Sequence, residues 1–201
     1  MVAASIDSSA FAVLRAYLDA RAAFTEDDVR AVQQTFVPRR LAAGEFLQRA
    51  GEVSRYAAFV ARGCLRNFVI DAKGKEHIVQ FAPETWWLAD SISLGKGTPT
   101  AYFFEAIEDS ELLLIDPAGQ QRLIDTVPAY AASFRVGIQR HAAAKDQRIV
   151  SSLSATAEER YLEFLETYPS IVLRVPQTML ASYLGMTPET LSRIRKNLAR
   201  R

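Results

Sequence analysis

The chain has 201 residues, 49% of them hydrophobic, with 24 Lys and Arg against 23 Asp and Glu for a net charge of +1. Its single cysteine, Cys64, excludes an internal disulfide framework and a self-contained iron–sulfur cluster, and fits a reducing cytoplasm. There is no run of about 18 apolar residues and no charged-then-apolar leader, so neither a membrane span nor a signal peptide is expected.

The N-terminal stretch reads as helical, with Phe11, Leu14, Tyr17 and Leu18 on one apolar face. Thr25 and Asp28 resemble a capping box opening a second helix through Val29, Val32 and Phe36, which Pro38 is expected to end. From Arg39 to Asp116 short strands alternate with turn signals at Gly44-Glu45, Gly51-Glu52, Arg62-Gly63, Asp71-Ala72-Lys73-Gly74-Lys75 and a Gly95 to Pro99 loop. The strands legible there are Tyr56 to Ala61, Leu65 to Ile70, His77 to Phe81 and Leu112 to Ile115, a spacing that predicts a β-sandwich or β-roll.

After Pro117 the helical period returns. Val127, Ala131, Phe134, Ile138 and His141 are spaced 4, 3, 4 and 3, a heptad seam that fades at Lys145, Arg148 and Ser152. A helix from Pro128 to Ser152 would be roughly 37 Å long, more than a small roll covers. Pairing with its own copy through Ala131, Phe134, Ile138 and His141 is therefore expected, the alternative being a helix that simply lies on the roll. Thr156 and Glu159 form another capping box, opening a helix that packs Tyr161, Leu162, Phe164 and Leu165 inward and stops at Tyr168-Pro169. Ile171-Val172-Leu173 reads as a brief extended link.

The last quarter, VPQTMLASYLGMTPETLSRIRKNLARR, carries the functional signal. A short helix is predicted over Pro176 to Tyr183, broken at Leu184-Gly185-Met186 because Gly185 can take the left-handed conformation a sharp turn needs. Thr187 restarts the chain as an N-cap with Pro188 behind it. Leu191, Ile194 and Leu198 then form one apolar stripe, leaving Glu189, Ser192, Arg193, Lys196 and Arg200 on the other face. Helix, glycine turn, helix with a polar and basic outer face is the pattern of a helix-turn-helix, although an ordinary helical hairpin closing a core shows it too. Charge favours the first reading: from Arg174 onward the chain is +5, leaving −4 for the rest.

Several stretches together resemble the Crp-Fnr superfamily of bacterial transcription regulators: YAAFVARGCLR at Tyr56 to Arg66, DAKGKEHIVQF at Asp71 to Phe81, AEERYLEFL at Ala157 to Leu165 and LASYLGMTPETLSRIRK at Leu180 to Lys196. The resemblance implies an α+β chain: an antiparallel β-roll of cyclic-nucleotide-binding type with flanking helices over residues 1–127, a long dimerisation helix over 128–153, and a winged-helix-like helix-turn-helix over 154–201. It implies that Glu189 and Arg193 face base edges. Physically, Arg pairs bidentately with guanine and Glu accepts from cytosine N4. Thr187, Thr190 and Ser192 are then phosphate candidates, with Gln177 and Thr178 at the start of the first helix, while Arg195 and Lys196 add charge. Pro188 stands where many relatives carry a basic residue, so one base contact is expected to be missing. The sequence ends at Arg201 directly after this helix, and no wing contacts are expected. Double-stranded DNA at a pseudo-palindromic site, a second copy of the chain and RNA polymerase are the implied partners, and no membrane.

By the same resemblance, cyclic-nucleotide binders carry a Gly-Glu pair and an Arg-Ser or Arg-Thr pair in the segment matching Trp86 to Phe104. Here it reads WWLADSISLGKGTPTAYFF, with Asp90 in place of the Glu and Lys96 the only cation. A phosphodiester needs a charge-assisted donor or an array of N–H groups, so a standard cyclic nucleotide is not expected. Trp86, Trp87, Asp90 and Thr100 are the candidate pocket for an unknown small-molecule effector, with no cofactor or metal. Trp86 and Trp87 point to opposite faces on a strand, so only one is expected in the core. Gly95-Lys96-Gly97-Thr98 lacks phosphate-loop spacing and reads as a mobile turn. Cys64 reads as an inert core thiol, Asp71 to Lys75 as a hairpin tip.

Catalysis is not expected. A cupin-like metal site wants more than the two histidines present, His77 and His141, and no nucleophile arrangement is apparent. The competing reading keeps the fold but makes the chain an effector-sensing interaction module without DNA binding.

Overall fold

In a computed structural model, the structure describes residues 8–200. Arg201, counted in the basic terminus, lies outside the described residues. The chain forms two compact units: one holds the chain up to Val69 together with Phe81–Ile138, the other Ile70–Gln80 together with the chain from Gln139.

The first unit opens with α1 (Ser8–Asp19) and α2 (Glu26–Thr35). The capping box is formed as the sequence predicts: Asp28 N–H donates to Thr25 Oγ1 at 3.2 Å and Thr25 N–H to Asp28 Oδ2 at 2.9 Å. Pro38, however, does not mark the helix end. The helix closes at Thr35, and Pro38 sits inside β1 (Val37–Leu41), an outer strand that tolerates its missing N–H.

Among the described residues, eight strands follow the order β1-β8-β3-β6 in one sheet and β2-β7-β4-β5 in the other. They are β2 (Phe46–Gln48), β3 (Ala57–Arg62), β4 (Leu65–Ile70), β5 (Glu76–Ala82), β6 (Trp87–Leu88), β7 (Phe103–Ala106) and β8 (Ser110–Ile115). The four strands legible in the sequence are β3, β4, β5 and β8. The other four are short or lie at sheet edges. At the β3–β4 turn Gly63 has φ +89°, and a Cβ there would lie 2.4 Å from Ser110 Oγ, so only glycine fits.

Strand alternation splits the apolar residues between two cores. Ala57, Phe59, Leu113 and Ile115 face α1, α2 and α4 (Pro117–Thr126), against Leu14, Val32, Phe36 and Leu123. Ala58, Val60, Leu65, Phe104, Leu112 and Leu114 fill the space between the sheets. Cys64 is fully buried, as expected for a core thiol. The Gly95 to Pro99 loop is corrected by the structure: α3 (Ser91–Lys96) runs through it and ends at Gly97, which is left-handed at φ +64°. The tryptophan expectation also changes. Trp86 packs on the inter-sheet core and Trp87 on the helical core beside Phe59, Phe36 and Tyr17, so the two point apart but both are half-buried.

The long helix α5 spans Pro128–Ser154. In the second unit α6 (Ala157–Thr167) opens on a capping box, with Thr156 N–H donating to Glu159 Oε2 at 2.7 Å and Glu159 N–H to Thr156 Oγ1 at 3.3 Å. Tyr161, Phe164, Tyr168, Ile171, Leu180, Ala181 and Leu191 are buried in this unit. Ile171-Val172-Leu173 is not extended: residues 169–174 form successive turns, with Arg174 N–H donating to Ile171 O at 2.8 Å and Val175 N–H to the same carbonyl at 3.1 Å. The turn buries Ile171 and Val175 and turns Leu173 out at 88% exposure, a division a three-residue apolar run cannot announce.

Candidate nucleic-acid interface

Two helices carry it, α7 (Gln177–Tyr183) and α8 (Pro188–Leu198). Pro176 is the N-cap of α7 rather than its first residue. The turn between the helices is closed by Leu184 N–H to Leu180 O at 3.0 Å and Met186 N–H to Ala181 O at 3.0 Å, the six-to-one bond of a Schellman motif. That bond requires a left-handed residue, and Gly185 supplies it at φ +66°. Nothing lies within 4 Å of a Cβ built there, so the backbone angle, and not space, demands glycine. Thr187 caps α8 by accepting from Thr190 N–H at 3.2 Å, with Pro188 in the first turn.

The stripe predicted for α8 is sorted by burial. Leu191 and Ile194 are buried and Leu198 half-buried. Glu189, Ser192, Arg193 and Lys196 are exposed on the other side, Thr187 is exposed at the cap, and Thr190 is half-buried. Gln177 and Thr178 are exposed at the start of α7. Glu189 and Arg193 stand one helical turn apart. The Glu189 carboxyl is held below its ordinary value by its own backbone N–H and the Thr187 hydroxyl, so it is an anion at neutral pH. The arrangement presents one acceptor and one bidentate donor on an exposed face of α8.

Of the candidate seam residues on α5, Ala131 and Phe134 are half-buried, and Phe134 stacks on Tyr130 at 6.3 Å against the first unit's core. Ile138 is 53% exposed, while His141 is half-buried, its imidazole pushed below the ordinary value by burial and then by Lys145. Beyond Ile138 the open apolar residues are Ala142, Ala143, Ala144, Ile149, Val150 and Leu153, of which Ala142, Ile149 and Leu153 continue from Ile138 at spacings of 4, 7 and 4. Those three leave the predicted seam, whose continuation runs through Lys145, which is exposed, and Arg148, which is committed to backbone carbonyls.

In the β-roll, Asp90 and Thr100 are brought together and satisfy each other. Thr100 Oγ1 donates to Asp90 Oδ2 at 2.6 Å, while Asp90 Oδ1 caps α3 by accepting from Ile92 and Ser93 N–H, each at 3.1 Å. Trp86 and Trp87 follow a strained turn at Thr85, whose φ of +69° is rare for a β-branched residue. The sequence reading missed three residues here. Gln48 and Asn67 lie across from Phe104 on its two flanking strands, both buried, with Gln48 Nε2 and Asn67 Oδ1 unpaired. On the opposite sheet face Arg66, 7% exposed, bonds Glu105 from Nε at 2.7 Å. The available signal was a charged or amide residue inside each otherwise apolar strand.

The first unit thus defines a class, a β-roll domain of the cyclic-nucleotide-binding type: residues 38–127 match the family model for the cyclic nucleotide-binding domain. Similar solved structures extend the likeness over most of the chain. FixK2 from Bradyrhizobium japonicum is 20% identical with a TM-score of 0.69, covering 82% of this chain and 85% of that one. CLP of Xanthomonas campestris, described as a c-di-GMP responsive global regulator, is 14% identical with a TM-score of 0.69 over 88% and 92%. The Thermus thermophilus catabolite activator protein is 22% identical with a TM-score of 0.54 over 88% and 84%. No curated protein matches the sequence. The chain shares its fold with these solved structures over more than four fifths of its length. Among the described residues no helix is long and apolar enough to cross a membrane.

Proposed function

We propose that the chain is a homodimeric, sequence-specific DNA-binding transcription regulator whose α8 enters the major groove. The observation that carries the reading is the sorting of α8, with Leu191 and Ile194 buried while Glu189, Ser192, Arg193 and Lys196 are exposed. Glu189 and Arg193 read base edges, Thr187, Thr190, Ser192, Gln177 and Thr178 serve phosphates, and Lys196 adds charge. Two copies join along α5 through Ile138, Ala142, Ile149 and Leu153, whose exposure and heptad-like spacing ask for an apolar partner. The dimer reads two half-sites about 34 Å apart. The roll senses a ligand other than a cyclic nucleotide: Trp86 to Phe104 contains no arginine, Lys96 is exposed, and Asp90 is engaged as a cap. The test is binding-site selection with Arg193→Ala, expected to cost about 1–3 kcal/mol and relax preference at one base pair per half-site. Unchanged site selection would overturn the assignment of α8.

A further inference from the structure

A bulge in β2 turns a polar side chain into the roll. Phe46 pairs with Glu105 and Gln48 with Phe104, so the step of two residues on β2 matches one on β7. In a regular strand Gln48 would share the face of Phe46. That face points away from the inter-sheet core, and there the Phe46 ring meets those of Phe68 and Phe103. The bulge instead sets Gln48 opposite Phe104, a residue of the inter-sheet core, and leaves it 7% exposed. On the other side of β7, Asn67 of β4 pairs with the same Phe104 and is equally buried. The two amides stand in one row on one face, two strand spacings or about 9.5 Å apart at the backbone.

The orientation of Gln48 is fixed by a chain of hydrogen bonds. Ser54 Oγ donates to Gln48 Oε1 at 2.6 Å, and Ser54 N–H donates to Ser93 Oγ at 2.9 Å. Ser93 lies in α3, whose first turn is capped by Asp90, itself held by Thr100. The Ser54 proton assigns the oxygen end of the Gln48 amide, which leaves Nε2 a donor without an acceptor. Asn67 Oδ1 is an acceptor without a donor. Asp90 and Thr100 thus support Gln48 from behind.

The surroundings decide the charge of what fits. Leu65, Phe104 and Ala106 belong to the same core, with Trp86 and Tyr102 half-buried at its edge. Arg66 faces the other side of the sheet, where it bonds Glu105, and Asp90 is engaged by α3 and Thr100. A carboxylate, phosphate or ammonium between Gln48 and Asn67 would have no counter-charge. A neutral group with an acceptor and a donor side by side satisfies both amides. We propose that Gln48 and Asn67 form the head-group site for a small neutral carboxamide on an apolar, ring-sized body. Its C=O accepts from Gln48 Nε2, its N–H donates to Asn67 Oδ1, and Trp86 and Tyr102 pack on the body. The assignment names a ligand class for the roll and rests on the reading above that the roll senses something other than a cyclic nucleotide.

The test is calorimetric titration of the 201-residue chain with benzamide as the probe. Benzoate, of the same shape but charged, and acetophenone, which keeps the carbonyl and lacks the N–H, are the controls. Benzamide is expected to saturate one site per chain and to bind at least tenfold more tightly than either. Asn67→Leu keeps the volume and removes the acceptor; it should weaken benzamide at least tenfold, change acetophenone less than twofold, and leave the ligand-free melting temperature no lower than the native one. Gln48→Met, made with Ser54→Ala so that no hydroxyl is stranded, should weaken both benzamide and acetophenone at least tenfold. If that double variant fails to fold, Asn67→Leu alone decides. Absence of saturable benzamide binding, equal affinity for benzoate, or unchanged benzamide affinity in Asn67→Leu overturns the head-group site. So does a crystal structure of the titrated chain with only water between the two amides. Cyclic AMP, titrated in parallel, separates the two ideas: its saturable binding overturns the reading of the roll, whereas failure of benzamide alone leaves that reading standing and removes the carboxamide class.

Discussion

Replacing Asp90 by Ala separates a structural carboxylate from a ligand-binding one. Asp90 is 8% exposed, and its two oxygens hold the first turn of α3 and the Thr100 hydroxyl, itself 5% exposed. Losing the cap costs about 1 kcal/mol, and leaving the buried Thr100 hydroxyl without its acceptor costs about 1–3 kcal/mol. The sum, about 2–4 kcal/mol, corresponds to a melting-temperature drop of about 4–16 °C for a chain of this size. Asp90→Asn keeps an acceptor for the α3 amides and should lose less than half as much. Thermal and urea unfolding of the ligand-free protein are the assays. If Asp90→Ala unfolds within about 0.5 kcal/mol of the native chain, the carboxylate is not a cap and its ligand role regains weight.

Tyr130 is 2% exposed with an unpaired hydroxyl, so Tyr130→Phe should leave neutral-pH stability unchanged or raise it by about 1 kcal/mol in urea unfolding. Burial pushes this phenol well above its ordinary value of 10, so the folded state keeps a proton that the unfolded chain releases. Stability is therefore expected to fall above pH 10 by about 1.4 kcal/mol per pH unit, a slope that Tyr130→Phe removes. The Glu159 carboxyl is held below its ordinary value by the Thr156 backbone N–H and hydroxyl, so its contribution is present above pH 4.5 and lost as pH falls through the lowered folded value. Thr156→Ala should flatten the acid limb of unfolding monitored by α6 helicity. Ile149→Glu with Leu153→Glu places charge on the open stripe of α5, and sedimentation should then report a monomer whose melting temperature is nearly that of the native protein at low concentration.

Legibility in the sequence followed the strength of local chemistry. The turn between α7 and α8 and the start of α8 were readable because each boundary has a residue with one physical use: Gly185 for a left-handed turn, Thr187 for a cap, Pro188 for a first turn. Both capping boxes were readable for the same reason. Strands β1, β2, β6 and β7 were not: β1 contains Pro38 and buries only Leu41, β2 carries a register shift, and β6 has two residues. Helix α3 hid because SISLGK and the following Gly97 read as a turn, and only the distant Thr100 reveals that Asp90 is committed there. Along α5 the predicted seam divides: Ala131 and Phe134 are half-buried, Phe134 against the first unit's core, and Ile138 is exposed. Past it, tertiary contacts of Arg148 decide which face stays open, and no periodicity encodes them. Neither does any local signal place Ser182 on the edge of β5, more than a hundred residues away.

Selection of duplex fragments from a random pool by the 201-residue chain, followed by titration of the recovered site across salt, tests the central claim most directly. The account predicts inverted half-sites about 34 Å apart and a binding constant whose logarithm falls linearly with log salt, by about 0.9 per phosphate neutralised. No duplex binding at low salt, or recovery of fragments without a common sequence, would contradict it.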